Sequence, residues 1–529
     1  MFKQKVYQVK NIPNLSYGMN DQMEAGEILD NEMADCENYV VDEASIRTSP
    51  GYVMYQNGIH TGPFWGIYHF RKSDGTQILI RQCGSTLEWD NAGNWTTCTL
   101  PTTGSPATTI SLTQVQPTFA TLNDTVVFCN GQIAMYSTDG KTWTNKTDLI
   151  YGGAVPDIVI NNGKNRLIYI IKSSSIIWFS DINLPLIVQT ISWEYIDPNN
   201  GQNSRGAITS NTGSTLFFKE SQFYEIDDIS LGMIGVNPLG EVRLASHQTI
   251  CQTENSIILL GIDGIYEYMG GVMKNISGRI DWTGRNNITN WNLATAAYIN
   301  GEYHVSIPDS DISQNYNSQE YVVHKNLPRQ DSEQPYVVTR NRRYFGCYGI
   351  GYTTTTTSRV VRLYAGGSVS TTSGSPAAAN CPFVYINVYK DDSITQGLNG
   401  VAQSAYFITK YFTENTPYYV KKYKKLFYEL TVTQDTTILF SYRFSPYSQW
   451  TDVSVNTTTG DIEWTLEDGG IGGFTEGYGF AENALGRDFI DIENEEKPRG
   501  VQFKITTNSI NDVIFFGLAY SFRPKPRFK

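Results

Sequence analysis

The chain has 529 residues and a formal charge of −12, with 34 tyrosines, 24 phenylalanines, 46 glycines and only 17% charged residues. That balance excludes a coat that grips nucleic acid through a uniformly basic face, and it is too poor in charge for long salt-laced helices. Aromatic and β-branched residues suit a pleated, half-buried surface, and glycine and asparagine supply turns between short strands, so the chain reads as all-β.

In chain order, the opening MFKQKVYQVKNIPNL has no apolar core of signal-peptide length, and no stretch approaches the roughly 18–20 apolar residues of a membrane span. The expectation is synthesis in a reducing cytoplasm and no membrane span. A first strand is predicted over residues 5–9, then a glycine turn at Tyr17-Gly18 and an apolar pair at Val40-Val41. A repeated unit of strand, tight turn and strand follows. Its pairs are 78–80 with 86–89, 126–128 with 133–136, 167–171 with 176–179, 216–218 with 222–226, 257–260 with 265–268 and 296–298 with 303–305, and a last strand lies at 360–364. The units recur about every 40–48 residues, the period of a propeller blade. A blade cannot bury both faces alone, so several must pack radially. The predicted architecture is a β-propeller of about six to eight blades over 61–365, closed by an N-terminal segment, 1–60, whose strand at 5–9 completes the last blade. An array of sandwiches is the competing architecture, with a period too short to favour it.

The stretch 366–380, GGSVSTTSGSPAAAN, is low in complexity and reads as a linker. Beyond it, alternating strands at 383–388, 425–432, 437–442, 500–505 and 513–520 predict a C-terminal β-sandwich-like domain over 381–529.

Motifs that carry chemistry are scarce. Five histidines are scattered, with only His60 and His69 near one another, flanking GPFWGIY; a lone histidine in a strand is more often structural than catalytic. Seven cysteines form no CxxC pair, and so spell neither zinc nor a disulfide framework. Asp181, Asp227-Asp228 and the turn GIDG at 261–264 offer carboxylates to calcium, but aspartate is also simply a good turn residue. No cofactor is called for. The run from Ser137 to Trp143, STDGKTW, resembles the Asp-box of sialidase-like propellers, in which Asp139 would cap backbone amides and Trp143 would pack into the blade. Looser echoes lie at 90–96 and 445–451. The box marks architecture, so no enzyme is expected, although a hydrolase would need only a convergent carboxylate pair. Three basic clusters remain: Lys421, Lys422, Lys424 and Lys425; Arg340, Arg342 and Arg343; and the tail Arg523, Lys525, Arg527 and Lys529. The first reads as a solvated strand edge that discourages aggregation or an aromatic-interleaved contact; the tail, interrupted by prolines, reads as a segment that lies across a partner.

The segment 36–52, CENYVVDEASIRTSPGY, acquires a meaning by likeness. Tyr17-Gly18-Met19-Asn20, then Ala34 to Val41 with Asn38, then Ile46-Arg47-Thr48-Ser49-Pro50-Gly51 resemble the N-terminal signature of bacteriophage tail nozzle or hub propellers, the tail tubular protein B group of short-tailed phages. Here the Ala-to-Asn spacing is one residue longer than in that pattern. Asn165–Asp181, Gly264–Ser277 and Gly500–Pro524 are similar to later blades and closing strands of the group. The resemblance implies a virion tail protein: a homo-hexameric ring that contacts the portal or adaptor, other tail proteins and a fibre or needle, and lets genomic DNA through its lumen. It is shorter than the larger nozzle proteins and closer in size to compact hubs. In that reading Asn38 ties a loop to backbone, Arg47 anchors it by a charge-assisted bond, Pro50 ends a strand and Gly51 allows the turn into the first blade, seating the chain start against the propeller. Recognition of a host receptor or glycan at the tail tip is the alternative, with solvent-facing aromatics in loops such as GPFWGIY. A sialidase-like glycan hydrolase is the third, requiring a deep axial pocket with acid and base carboxylates.

Overall fold

Apolar runs of four or five residues are too short for stable helices and too apolar for exposed strands, and they dictate the fold. A computed structural model describes residues 7–524, apart from 14, 43–44, 56–61, 92–93, 104–107, 147, 151, 228–233, 283–288, 310–311, 355–358, 369–383, 387–402, 433–435, 458–484, 494–497 and 510–511. The chain forms two units. One holds Val53–Val322 and Arg343–Val388; the other holds Met1–Tyr52, Val323–Arg342 and Tyr389–Lys529.

The first unit is a β-propeller. Among the described residues, seven antiparallel sheets follow one another along the chain, their innermost strands being Phe64–Arg71, Thr118–Leu122, Ile158–Asn161, Ser204–Thr209, Cys251–Gln252, Thr295–Ile299 and Phe345–Thr354. Inner strands of neighbouring sheets touch, the gap between Ser204–Thr209 and the fifth and sixth sheets being bridged by the 3-10 turn His247–Thr249, and the last touches the first. That closed cycle rules out a row of separate sandwiches.

The second strand of a blade explains the apolar runs. Thr125–Cys129, Leu167–Ile170, Thr215–Lys219 and Ile257–Gly261 are buried along their whole length. Because side chains alternate across a strand, successive residues enter opposite interfaces. Val126 and Phe128 pack towards Phe70 and Ile78 of the blade before, whereas Val127 and Cys129 pack towards Leu167 and Tyr169 of the blade after. Ile168, Phe217 and Tyr224 fill the next interface. Leu216 and Phe218 meet Leu259 and Tyr268 in the one beyond. Phe64, Leu79, Cys347 and Tyr364 seal the last blade to the first. The core of this unit is therefore a set of interfaces between blades.

The closing strand differs from the expectation. Tyr52–Met54, not residues 5–9, completes the last sheet beside Val384–Ile386. Gln8–Ile12 instead pairs with Val513–Pro524 in the other unit, with Gln8 opposite Phe522. The strand expected at 383–388 to open the C-terminal domain is paired with Leu363–Ala365 of the seventh blade. The boundaries 1–60, 61–365 and 381–529 therefore do not match the observed division, and the linker 366–380 lies outside the described residues from 369 onward. Local patterning gives a strand its faces but not its partner, which is why the strands were legible and their allegiance was not.

The second unit is a β-sandwich. One sheet is ordered Tyr39–Val41, Ile46–Thr48, Val513–Pro524, Lys421–Val432, Leu485–Asp491, with Gln8–Ile12 also paired to Val513–Pro524. The other is ordered Met33–Glu37, Gln403–Thr409, Gln502–Ser509, Thr436–Arg443, Thr451–Thr457. Aromatic rings join the two. Tyr39, Phe407 and Phe515 form a mutual edge-on trio with centroids 5.2, 6.2 and 5.4 Å apart, and Tyr428 stacks on Phe440 at 4.5 Å. Such pairs add about 0.5–1.5 kcal/mol each beyond area burial.

Arg81, in the second strand of the first blade, is 1% exposed. Its Nε and Nη2 donate to Glu88 Oε2 at 2.8 and 2.7 Å, and its guanidinium lies 3.8 Å from the Trp95 ring centroid. Arg81→Met leaves a buried carboxylate without its cation and is expected to lower stability by roughly 3–5 kcal/mol. The double substitution Arg81→Met with Glu88→Gln is expected to recover most of that loss, as read from urea unfolding of the four proteins of the cycle.

Candidate functional site

The signature segment is a junction inside the sandwich unit. Gly18 has φ 74°, and a Cβ there would lie 2.7 Å from the Val338 carbonyl oxygen, so only glycine fits. Asn20 Nδ2 donates to Glu32 Oε2 at 2.7 Å, and Glu32 Oε1 is held by Arg329 Nη2 at 2.5 Å. Asn38, between a strand of one sheet and a strand of the other, is left-handed with φ 58°. Its Nδ2 donates to the Ser404 carbonyl at 2.7 Å, and its Oδ1 accepts from the Arg342 amide at 2.9 Å. Arg47 Nη2 lies 3.4 Å from Asp512 Oδ2, and Thr48 Oγ1 donates to the same carboxylate at 3.1 Å. Pro50 follows the strand Ile46–Thr48, and Gly51 is not among the residues with positive φ. Asn38 binds backbone and Arg47 a carboxylate; the segment pairs into the sandwich sheets and also bonds Tyr336–Asn341, the outer strand of the sixth sheet, through the amides of Met19 and Asn38 to the carbonyls of Val338 and Arg340. Asn38→Ala loses two hydrogen bonds and strains a left-handed backbone, an expected cost of roughly 2–4 kcal/mol. Asn38→Gly keeps the backbone freedom and is expected to fall between that variant and the native chain in denaturant unfolding.

The Asp-box turn has a purely local geometry. Asp139 Oδ1 accepts from the amides of Lys141 and Thr142 and from Ser137 Oγ, each at 2.8 Å. Burial alone would raise the pKa of its carboxyl, but these bonds outweigh burial and lower it. Trp143 is buried, 6.2 Å from Phe128 centroid to centroid. The turn carboxylates considered for calcium are likewise used nearby: Asp181 accepts from Gln189, Asp227 from Asn237 and Asp263 from Tyr266. Asp228 and His60 lie outside the described residues, and among the described residues no group of three or more histidines, cysteines or acids could hold a metal.

The basic clusters are mostly spoken for. Lys421 is fully buried, and its Nζ donates to the carbonyls of Thr416, Tyr419 and Arg499 at 2.8, 3.2 and 2.8 Å. It is no partner contact, and its strand Lys421–Val432 lies inside a sheet rather than at an edge. Lys425 covers the Phe489 ring at 3.1 Å, while Lys424 and Arg523 flank Tyr7 at 5.8 and 5.4 Å. Lys422 is half-buried opposite Arg523. The strand expected to stop before the proline-rich tail runs on to Pro524, which is paired with Lys421; Lys525 and Arg527 lie outside the described residues. Arg340 binds Asp35 at 3.0 Å, Arg342 binds Glu37 at 3.1 Å and Arg343 binds Glu320 at 2.9 Å.

A buried titratable cluster lies within the propeller unit. His304 Nδ1 is 3.2 Å and Nε2 3.3 Å from carboxylate oxygens of Glu320 and Glu302. Glu320, fully buried, also accepts from Tyr348 OH at 2.8 Å and from Arg343. Burial would lower the His304 pKa, but hydrogen bonds to and charges of the two glutamates raise it from 6.5 to about 9. A folded-state value above the unfolded one means stabilisation that is fully present below about pH 6.5 and lost as pH rises through about 9. Unfolding free energy is therefore expected to fall over that window, and His304→Gln is expected to flatten the dependence in a pH series of urea titrations.

Sequence reasoning missed a concavity of the propeller unit. GPFWGIY is not an exposed loop: Phe64–Arg71 is the inner strand of the first blade, and Trp65, Gly66, Ile67 and Tyr68 line an axial cup of about 510 Å³. A Cβ on Gly66 would lie 2.6 Å from Pro117 of the next blade, so glycine permits that close approach. Among the described residues the lining contains no aspartate, glutamate, lysine or arginine. His247 also lines it, and burial pushes its pKa down to about 3. The third blade carries a second feature, a ridge of exposed Ile182, Leu184, Ile187, Ile191, Trp193 and Tyr195, with Ile191 85% exposed. Among the described residues no helix is long and apolar enough to cross a membrane.

The fold is thus a seven-sheet β-propeller with a β-sandwich unit. No protein-family model matches the chain, and no curated protein matches it. Solved structures similar to it include a virginiamycin B lyase from Staphylococcus aureus, 11% identical, covering 57% of this chain and 96% of that one with a TM-score of 0.33. YCF48 bound to D1 peptide is 10% identical, covering 63% of this chain and 95% of that one, TM-score 0.36. A GH74 enzyme from Niastella koreensis is 17% identical, covering 53% and 43%, TM-score 0.33. The assignment of the fold rests on the closed cycle of sheets, and these likenesses say nothing of chemistry.

Proposed function

We propose that the chain is a structural subunit of a bacteriophage tail, assembled in the host bacterial cytoplasm into a homo-hexameric nozzle or hub ring that extends the DNA-ejection channel below the portal and adaptor. The observation that carries this reading is the apolar ridge at Ile182–Tyr195 of the third blade. Six exposed aliphatic and aromatic side chains within one short segment, interspersed with polar residues, are costly on a monomer and fit a subunit interface. The signature segment agrees with it, since Asn20, Asn38 and Arg47 are all engaged in holding strands together. The axial cup is no passage for DNA, because Gln248 Nε2 reaches the Pro117 carbonyl at 2.7 Å and Gln116 Nε2 reaches that of Leu293 at 2.8 Å. In this proposal the lumen lies between copies, and the charge of −12 keeps phosphates from adhering to its wall. Hydrolysis of glycans by paired carboxylates has no support in the cup, whose lining carries none.

Gold-tagged antibody against the chain, imaged on intact virions by electron microscopy, tests the proposal. Label encircling the tail below the portal is the expected outcome. Label only at fibre tips would favour receptor binding, and absence from disrupted particles would overturn the virion reading. In sedimentation, Ile191→Asp with Trp193→Asp is expected to convert the purified ring to single chains.

A further inference from the structure

The axial cup has a floor, a mouth and a definite chemistry. At the end where the inner strands begin, Gln248 and Gln116 cross from one side of the ring to the other and bond the carbonyls of Pro117, Leu293 and Gly346. Towards the other end, polar groups of successive blades are linked hand to hand. Tyr68 OH and Thr121 Oγ1 are 2.8 Å apart, Asn161 Nδ2 donates to the Thr121 carbonyl at 2.7 Å, and Thr209 Oγ1 donates to the Asn161 carbonyl at 2.9 Å. Beside them stand the stacked rings of Tyr68 and Phe119, 5.1 Å apart, while Trp65 lines the cup nearer the end where its strand begins. The volume of about 510 Å³ falls within the range of small-molecule sites.

We propose that this cup binds an uncharged saccharide through one or two pyranose rings. An anion or cation would lose its hydration without meeting an opposite charge, because no lining side chain is charged and His247 stays neutral. A hydrocarbon would cut off from water the donors and acceptors that Thr121, Asn161, Thr209 and Gln248 keep beyond the bonds they already make to one another and to carbonyls. A neutral pyranose satisfies both conditions, with an apolar ring face for the aromatic side chains and hydroxyls for the polar rim. With no carboxylate in the lining, the cup retains such a ligand without cleaving it. The inference concerns the cup alone and stands or falls independently of the tail assembly.

The test is fluorine NMR of the full chain labelled with 5-fluorotryptophan, with resonances assigned by Trp65→Phe and Trp193→Phe. Methyl glucoside, methyl galactoside and N-acetylglucosamine are titrated in turn, with glucuronic acid and sialic acid as charged counterparts. The expected result is a saturable shift of the Trp65 resonance with at least one neutral sugar and none with either acid, the Trp193 resonance staying still. Thr209→Trp, which narrows the mouth, is expected to weaken that response at least tenfold. No Trp65 shift with any neutral sugar would overturn the proposal, as would an equal response to the acids or a shift confined to Trp193 on the ridge. Should Thr209→Trp not fold, the contrast between neutral and charged sugars at Trp65 decides the matter alone.

Discussion

One left-handed residue governs how the sandwich is threaded. Before Asn38 the chain lies in one sheet, paired through Cys36 with Phe407. After it the chain lies in the other, paired through Tyr39 and Val40 with Thr48 and Arg47. An extended residue at 38 would carry the strand onward in the first sheet and pull Tyr39 out of the aromatic trio that joins the two. The backbone cost of φ 58° is offset by the amide side chain, which fastens the corner to Ser404 and Arg342 at once. The rest of the unit depends on that corner, because Thr48 and Asp512 lock only if the segment after it runs along Val513–Pro524.

The propeller was legible because its packing is local and repetitive. A strand pressed between neighbours on both faces must be apolar at every position, as Leu167-Ile168-Tyr169-Ile170 is, and such a run flanked by Gly, Asn and Ser turns has few other readings. Two things stayed hidden. The first was allegiance: Gln8–Ile12 and Val384–Ile386 have ordinary strand patterns, and their partners lie hundreds of residues away or across a low-complexity stretch. The second was the axial cup, whose wall is contributed a few residues at a time by separate blades. Trp65 and Tyr68 were visible as an aromatic pair, but only ring closure brings them to Asn161, Thr209 and Gln248.

Charge was the poorest guide. The cationic runs looked like surface, yet Lys421 is anchored to three carbonyls. Lys219, fully buried, donates to Ser175, to the carbonyls of Ile196 and Asp197 and to Asn200. Arg329 and Glu32 are both almost wholly enclosed. In a chain with few charges these cations act as polar staples where strands end and carbonyls would otherwise be unmatched. Sequence shows a lysine's charge but not whether backbone carbonyls have gathered around its tip.

The sandwich is built from the first strands of the chain and the last, with the propeller threaded between them. On a ribosome, residues 33–48 emerge early and wait for 403–409 and 513–524 before their edges are covered. All seven propeller sheets have their strands in hand by Ile386, so that unit completes while the sandwich is still half synthesised. Translation order thus separates the two folding events, and exposed strand edges at the amino end are a hazard for the whole interval. A chain cut short within its final strand would lose more than that strand: Gln8–Ile12 and Ile46–Thr48 would be left without their neighbour. Such a product would carry a finished propeller and, in the sandwich, strand edges left uncovered.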